Sequence, residues 1–323
     1  MSYPSSKRRL RPARGVAVLV AALMAGGAGL GALTSPAQAA VLPTSGQTGT
    51  VQTMIGNMQN YAQFGACTVS ACPGDGGPST SAQLYNPRAL AFDPITGDIY
   101  VADALNERIR KVDIASGNIS TFAGTGAADS GGVTQNGYVA NAPGNPGAAN
   151  GDGGPATSAL FNQPHGVAVD SHHNVYVSDS NANKIRKIDA ATGQITTIAG
   201  NGDPRKKACP SSLPCNAVDS GVKFPKSMFM APGDKLYVAD SGNNMVRMLD
   251  LNANPITITT IAGTSQSSNY NGNGINGRAN SAQLNQPEGV AVDTSGNVYI
   301  ADSGNNLVRK VDPSGIMTTL AGD

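Results

Sequence analysis

Apolar positions along this chain come in short runs that alternate with polar ones and stop at Gly, Asn, Asp or Pro. The last stretch shows the pattern in order: "SAQLNQPEGVAVD", "GNVYIAD", "NLVRKVD", "GIMTTLAG". Runs rich in Val, Ile, Thr and Tyr between turn residues predict four successive β-strands. Three earlier stretches repeat the four parts: "LYNPRALAFD", "DIYVAD", "ERIRKVD", "GNISTFAG"; then "FNQPHGVAVD", "NVYVSD", "NKIRKID", "GQITTIAG"; then "VKFPKSMFMA", "KLYVAD", "NMVRMLD", "ITITTIAG". A four-strand unit cannot bury both its faces alone, so repeated units stack as the blades of a β-propeller. The chain therefore reads as all-β, with four complete blades at 74–126, 151–202, 209–265 and 272–323. A surface insertion is expected at 127–150, and "GTVQTMIG" at 49–56 reads as a lone outer strand ahead of the first blade.

The N-terminal segment follows different rules. Lys7, Arg8, Arg9, Arg11 and Arg14 precede an apolar run from Val16 to Leu33, and the small-residue site "AQA" follows. This predicts a secretory signal peptide at 1–39, cleaved before Ala40, and a secreted chain with no membrane span afterwards. Removing five cations changes the charge from +1 to −4, with 17 basic against 21 acidic residues. Without a basic stripe, and with few aromatics, nucleic acid is not an expected partner. Export also makes the cysteines meaningful. They fall in two close pairs, Cys67/Cys72 and Cys209/Cys215, which read as local disulfides, although three connectivities are open to four cysteines. Neither pair has the spacing of a zinc or thioredoxin-type site.

The pattern "P-x-G-V-A-V-D", "G-N-V-Y-I-A-D-S-G-N-N", "V-R-K-V-D" resembles the NHL repeat family over nearly all of residues 74–323. The linking motifs "GDGGPSTSAQL" and "GDGGPATSALF" are similar to those of secreted bacterial NHL proteins. The resemblance implies a propeller whose rings usually have about six blades, more than four copies supply. A small closed ring, an arc completed by a second chain as a homodimer, and a truncated reading frame are all open.

Residues identical in every copy point to scaffold. Asp103, Asp179, Asp240 and Asp302 end the second strands, where an Asp can accept hydrogen bonds from its own turn's amides while following Gly and Asn take left-handed conformations. Arg110, Arg186, Arg247 and Arg309 recur in the third strands and imply one repeated contact per blade.

Residues that differ between copies point to function. After the aligned Pro87, Pro164, Pro225 and Pro287 stand Arg88, His165, Lys226 and Glu288, expected to converge at the mouth of the propeller's channel. Tolerance of a variable surface position is the alternative. The resemblance includes NHL-type amidating lyases, which hold a metal with histidines from several blades. Only His165 matches that arrangement here, so no metal or cofactor is expected. His172 and His173 read as exposed turn residues, and the "GDGG" loops carry one acid each, unlike the carboxylate series of a calcium loop. The expected function is a secreted, non-catalytic platform that binds a protein, peptide or cell-envelope ligand through Arg88, His165, Lys226 and Glu288. The alternative is an extracellular lyase or hydrolase with His165 as general base and Arg88 or Lys226 steadying a developing anion.

Overall fold

In a computed structural model of the chain, the described residues are 55, 72–126, 151–203, 207–209, 214–264 and 277–322. The expected signal peptide, the insertion at 127–150, Cys67 and, apart from Ile55, the lone strand at 49–56 lie outside them. The chain divides into Met1–Gln52 and Thr53–Asp323, and the blades lie in the second unit.

Blade 1 comprises β1 (Pro87–Phe92), β2 (Ile99–Asp103), β3 (Arg108–Val112) and β4 (Ile119–Ala123), antiparallel and in chain order. Blade 2 repeats this with β5 (Pro164–Val169), β6 (Val175–Asp179), β7 (Lys184–Ile188) and β8 (Ile195–Ala199). Blade 3 departs from the expected four strands. Outside β10 (Pro225–Ala231), β11 (Lys235–Asp240), β12 (Met245–Asp250) and β13 (Thr257–Ala262), the short β9 (Cys215–Asn216) pairs with β13 as a fifth. The other blades make a single bridge at the comparable place: Pro78 with Asn118, Pro155 with Gln194, Arg278 with Ile316. Blade 4 comprises β14 (Gly289–Val292), β15 (Val298–Asp302), β16 (Leu307–Val311) and β17 (Met317–Ala321).

Period-two alternation gives each blade two apolar faces, and each blade's trailing face packs on the leading face of the next. Tyr100, Ala102 and Ile109 of blade 1 meet Val167, Val169, Val175 and Val177 of blade 2. Tyr176 and Ile185 meet Met228, Leu236 and Val238 of blade 3, and Val246 and Ala262 meet Val290, Val298 and Ile300 of blade 4. Ile55 packs on the leading face of blade 1, against the cluster of Ile99, Val101 and Val112.

Inside every blade lies an ion pair without access to water. Asp103 and Arg110 are 3.2 Å apart, Asp179 and Arg186 3.5 Å, Asp240 and Arg247 3.5 Å, Asp302 and Arg309 3.9 Å, and all eight side chains are 0–1% exposed. The repeated contact expected of the arginines is therefore this pair. The Asp role differs in detail from the expectation. Its amide donors come not from its own turn but from the segment leading into the first strand: Tyr85, Asn162, Lys223 and Asn285, at 2.6–2.8 Å. The turn supplies a side chain instead, with the amides of Asn106, Asn243 and Asn305 donating at 2.9 Å. Left-handed backbone does follow, at Glu107, Asn183, Asn244 and Asn306.

The "GDGG" acids join the same network rather than a cation site. Asp75 pairs with Arg110 and accepts from the Thr121 hydroxyl at 2.7 Å, while Asp152 lies 2.7 Å from Arg186 and accepts from Thr197.

Cys209 and Cys215 form the expected local disulfide, six residues apart in sequence, and Cys72 is also disulfide-bonded. The 209–215 bond closes a small loop at the blade edge, so the chain-entropy model assigns it about 2 kcal/mol. Replacing Cys209 and Cys215 by Ser should leave the far-ultraviolet circular dichroism unchanged. Thermal melting should fall by roughly 4–8 °C, as expected for a domain of this size.

Candidate functional site

The aligned prolines place Arg88, His165 and Lys226 at the second position of β1, β5 and β10, and Glu288 immediately before β14. These first strands lie side by side from blade to blade, so the four side chains collect at one end of them. Lys226 and Glu288 form an ion pair, and the Ser227 amide donates to the Glu288 carbonyl at 3.4 Å. Arg88 is exposed and, among the described residues, makes no ion pair.

A close approach of blades 2 and 3 holds Lys226 beside His165. The Ser178 hydroxyl accepts from the Gly166 amide and donates to the Lys226 carbonyl, both at 2.6 Å. A Cβ on Gly166 would stand 2.3 Å from that carbonyl oxygen, so the junction requires glycine.

His165 is half-buried, and its Nδ1 has no hydrogen-bond partner. Burial, then Lys226, then Arg88, push its pKa down to about 4, against an opposing pull from Glu288. At neutral pH the imidazole is therefore uncharged. The cluster then holds two cations and one carboxylate, with the Arg88 charge unmatched. A neutral imidazole can donate or accept one hydrogen bond beside that guanidinium, an arrangement suited to an acidic group. As a general base it is poor, because proton-transfer efficiency peaks for a pKa near the working pH.

A groove of about 630 Å3 opens elsewhere, between blades 1 and 2, lined by Asp93, Tyr100, Lys111, Phe122, His173 and Thr192 among others. His173 differs from its sequence reading as an exposed turn residue: Nδ1 lies 2.7 Å from Asp93 Oδ2 of the neighbouring blade. Its backbone φ is 65°, at the place where Gly296 has 81° in blade 4. A histidine where another copy uses left-handed Gly is a sequence signal that could have found it. His172 is exposed, as expected. In this groove Lys111 meets Asp98 at 2.7 Å, so the charges are matched internally. Among the described residues no group of three or more His, Cys, Asp or Glu could hold a metal ion, and no helix is long and apolar enough to cross a membrane.

Comparison with known proteins gives the following relationships. The model of the teneurin NHL domain matches residues 132–218 and 247–323. Protein SUPPRESSOR OF QUENCHING 1, chloroplastic, of Arabidopsis thaliana is 27% identical over 269 residues, covering 81% of this chain and 22% of that protein. Teneurin-3 of Mus musculus is 30% identical over 247 residues, covering 72% of this chain and 8% of that protein. The chain thus spans about a fifth of one curated relative and less than a tenth of the other. Among solved structures, a structural-genomics protein from Bacteroides thetaiotaomicron superposes with TM-score 0.47 at 18% identity, covering 69% of this chain and 46% of that one.

In a nuclear magnetic resonance titration the His165 ring should show a midpoint near 4, and Lys226→Ala should raise it. Because the folded value lies below the ordinary 6.5, the unfolded chain takes up this proton first. The stability tied to His165 is therefore complete above about pH 6.5 and is lost as pH falls through about 4. A midpoint near 6.5 in the folded protein would show that the two cations and burial do not act on the ring.

Proposed function

The chain belongs to the family of teneurin-type NHL domains, and from that premise we propose that it is a secreted, non-catalytic propeller that binds a protein, peptide or cell-envelope ligand at the first-strand cluster. The observation that carries this reading is the contrast between repeated and unrepeated residues. Every blade keeps the buried Asp–Arg pair, yet the position after the aligned Pro is Arg88, His165, Lys226 or Glu288 in turn. A position free of the repeated scaffold can be given over to a ligand. Lys226 is engaged by Glu288, which leaves Arg88 and the neutral His165 as the ligand-facing pair. They suit an acidic group on the ligand. The disulfide at Cys209–Cys215 supports an oxidising compartment, in line with the signal peptide expected at 1–39.

The lyase or hydrolase reading is weaker on the same geometry. Its base would be His165, whose pKa of about 4 suits it poorly to take a proton at neutral pH.

Binding of immobilised acidic, neutral and basic peptides and of purified peptidoglycan tests the proposal. Acidic probes should be retained, and Arg88→Glu should weaken them at least tenfold while Arg278→Glu does not. Equal retention of acidic and basic probes would contradict it. So would turnover of lactone, ester or peptidylglycine substrates that His165→Ala abolishes.

A further inference from the structure

The groove between blades 1 and 2 lies at the far end of the first strands from the Arg88 cluster. Arg88 is the second residue of β1, whereas the groove's Asp93 follows its last. Here blade 1 leaves open a polar group that blades 2 and 4 satisfy. In those blades the second-strand tyrosine donates its hydroxyl to the acid after the first strand, Tyr176 to Asp170 and Tyr299 to Asp293, both at 2.9 Å. The same carboxylate oxygens accept from the side-chain amides of Asn174 and Asn297 at 2.8 Å. Blade 3 has Ala231 in the acid's place, and its Tyr237 is only half-buried.

Blade 1 keeps the acid and the tyrosine but joins the acid to other groups. Asp98 stands in place of the Asn and is engaged by Lys111. Asp93 accepts from the Ile95 and Thr96 amides through Oδ1, and its Oδ2 faces His173 of blade 2. Tyr100 is 4% exposed, lines the groove, and has a hydroxyl that makes no hydrogen bond among the described residues.

The rest of the lining narrows what can meet that hydroxyl. Phe122 stands where the other blades carry Ile198, Ile261 and Leu320, and it meets the Tyr100 ring edge-on with centroids 4.9 Å apart. With Ile188 it makes an apolar floor. Three carboxylates surround that floor, each already beside a basic group: Asp98 with Lys111, Asp93 with His173, and Asp189 with Lys187. A charged ligand would find no unmatched partner there, while ionised carboxylates still accept from hydroxyls. An aromatic side chain would fill the floor but bring at most one donor to the rim. A sugar ring offers both an apolar face and several hydroxyls. The volume of about 630 Å3 lies within the ~300–1,000 Å3 usual for small-molecule sites.

We propose that this groove binds a mono- or disaccharide unit of an uncharged sugar. One sugar hydroxyl bonds the Tyr100 hydroxyl, others donate to the rim carboxylates, and a ring face lies on Phe122. This site is separate from the first-strand cluster and does not depend on what that cluster binds.

Calorimetric titration of the full chain with glucose, galactose, N-acetylglucosamine, cellobiose, lactose and chitobiose tests the proposal. Glucosamine and glucuronate serve as charged counterparts, and N-acetylphenylalanine amide as an aromatic one. At least one uncharged sugar should bind with a Kd of about 1 mM or tighter, and more tightly than the charged sugars. Tyr100→Phe removes only the hydroxyl and should weaken that sugar at least about fivefold. Phe122→Ile should weaken it as well, and so should His173→Gly, which frees Asp93 for Tyr100. Tighter binding of a disaccharide than of its single sugar assigns the groove to a glycan chain, and equal affinity to a free sugar; both support the site. Absence of sugar binding overturns the proposal, as does tighter binding of the phenylalanine amide or an affinity unchanged in both Tyr100→Phe and Phe122→Ile. Loss of sugar binding in Arg88→Glu would place the sugar at the first-strand cluster and overturn it too.

Discussion

At the centre of each blade sits an aspartate paired with an arginine, both removed from water, and the course of the chain around them follows from keeping that pair satisfied. Taking two charges out of water is expensive, and their attraction offsets the cost only when the remaining donors and acceptors are also engaged. The blade meets most of that demand with its own backbone, although the Nε of Arg110 and of Arg247 is buried without a hydrogen-bond partner among the described residues. The Asp takes an amide from the segment entering the first strand and, in blades 1, 3 and 4, an Asn side chain from the turn after the second. The Arg reaches the same entering segment, at the Gln83 carbonyl in blade 1 and the Leu160 carbonyl in blade 2. One charged pair thus fixes where three separate stretches of chain meet, which apolar packing alone does with less positional selectivity.

Repetition of that device has two consequences. The four blades need not differ internally, so their differences fall at the ends of strands, where Arg88, His165, Lys226 and Glu288 gather with an uncharged imidazole among them. Repeated blades also make equivalent faces. Ile109, Ile185 and Val246 are buried at the same place in three successive interfaces.

The fold was largely legible from local chemistry. Alternating apolar runs, the Tyr-x-x-Asp strand end and the Asn of the turn each encode something a neighbouring residue needs, and copies of the pattern reinforce one another. Long-range partners were not legible. Nothing near Asp103 in sequence says that its amide donor is Tyr85, eighteen residues earlier, and nothing around Asp152 announces Arg186 as its partner. The fifth strand of blade 3 escaped because Cys215–Asn216 is too short to show a period. Proximity of the four cluster residues could be inferred from their equivalent positions. The depressed His165 pKa could not, since it depends on burial and on how near Lys226 and Arg88 come.

A double-mutant cycle on Asp179 and Arg186, read by urea denaturation, tests the role of the buried pair most directly. Asp179→Asn and Arg186→Met should each cost about 3–5 kcal/mol, because either leaves its partner buried without compensation. The double substitution should cost less than the sum by more than about 1 kcal/mol, since it removes both charges together. Single costs that add within about 0.5 kcal/mol would mean that the two groups act independently, and would contradict the account.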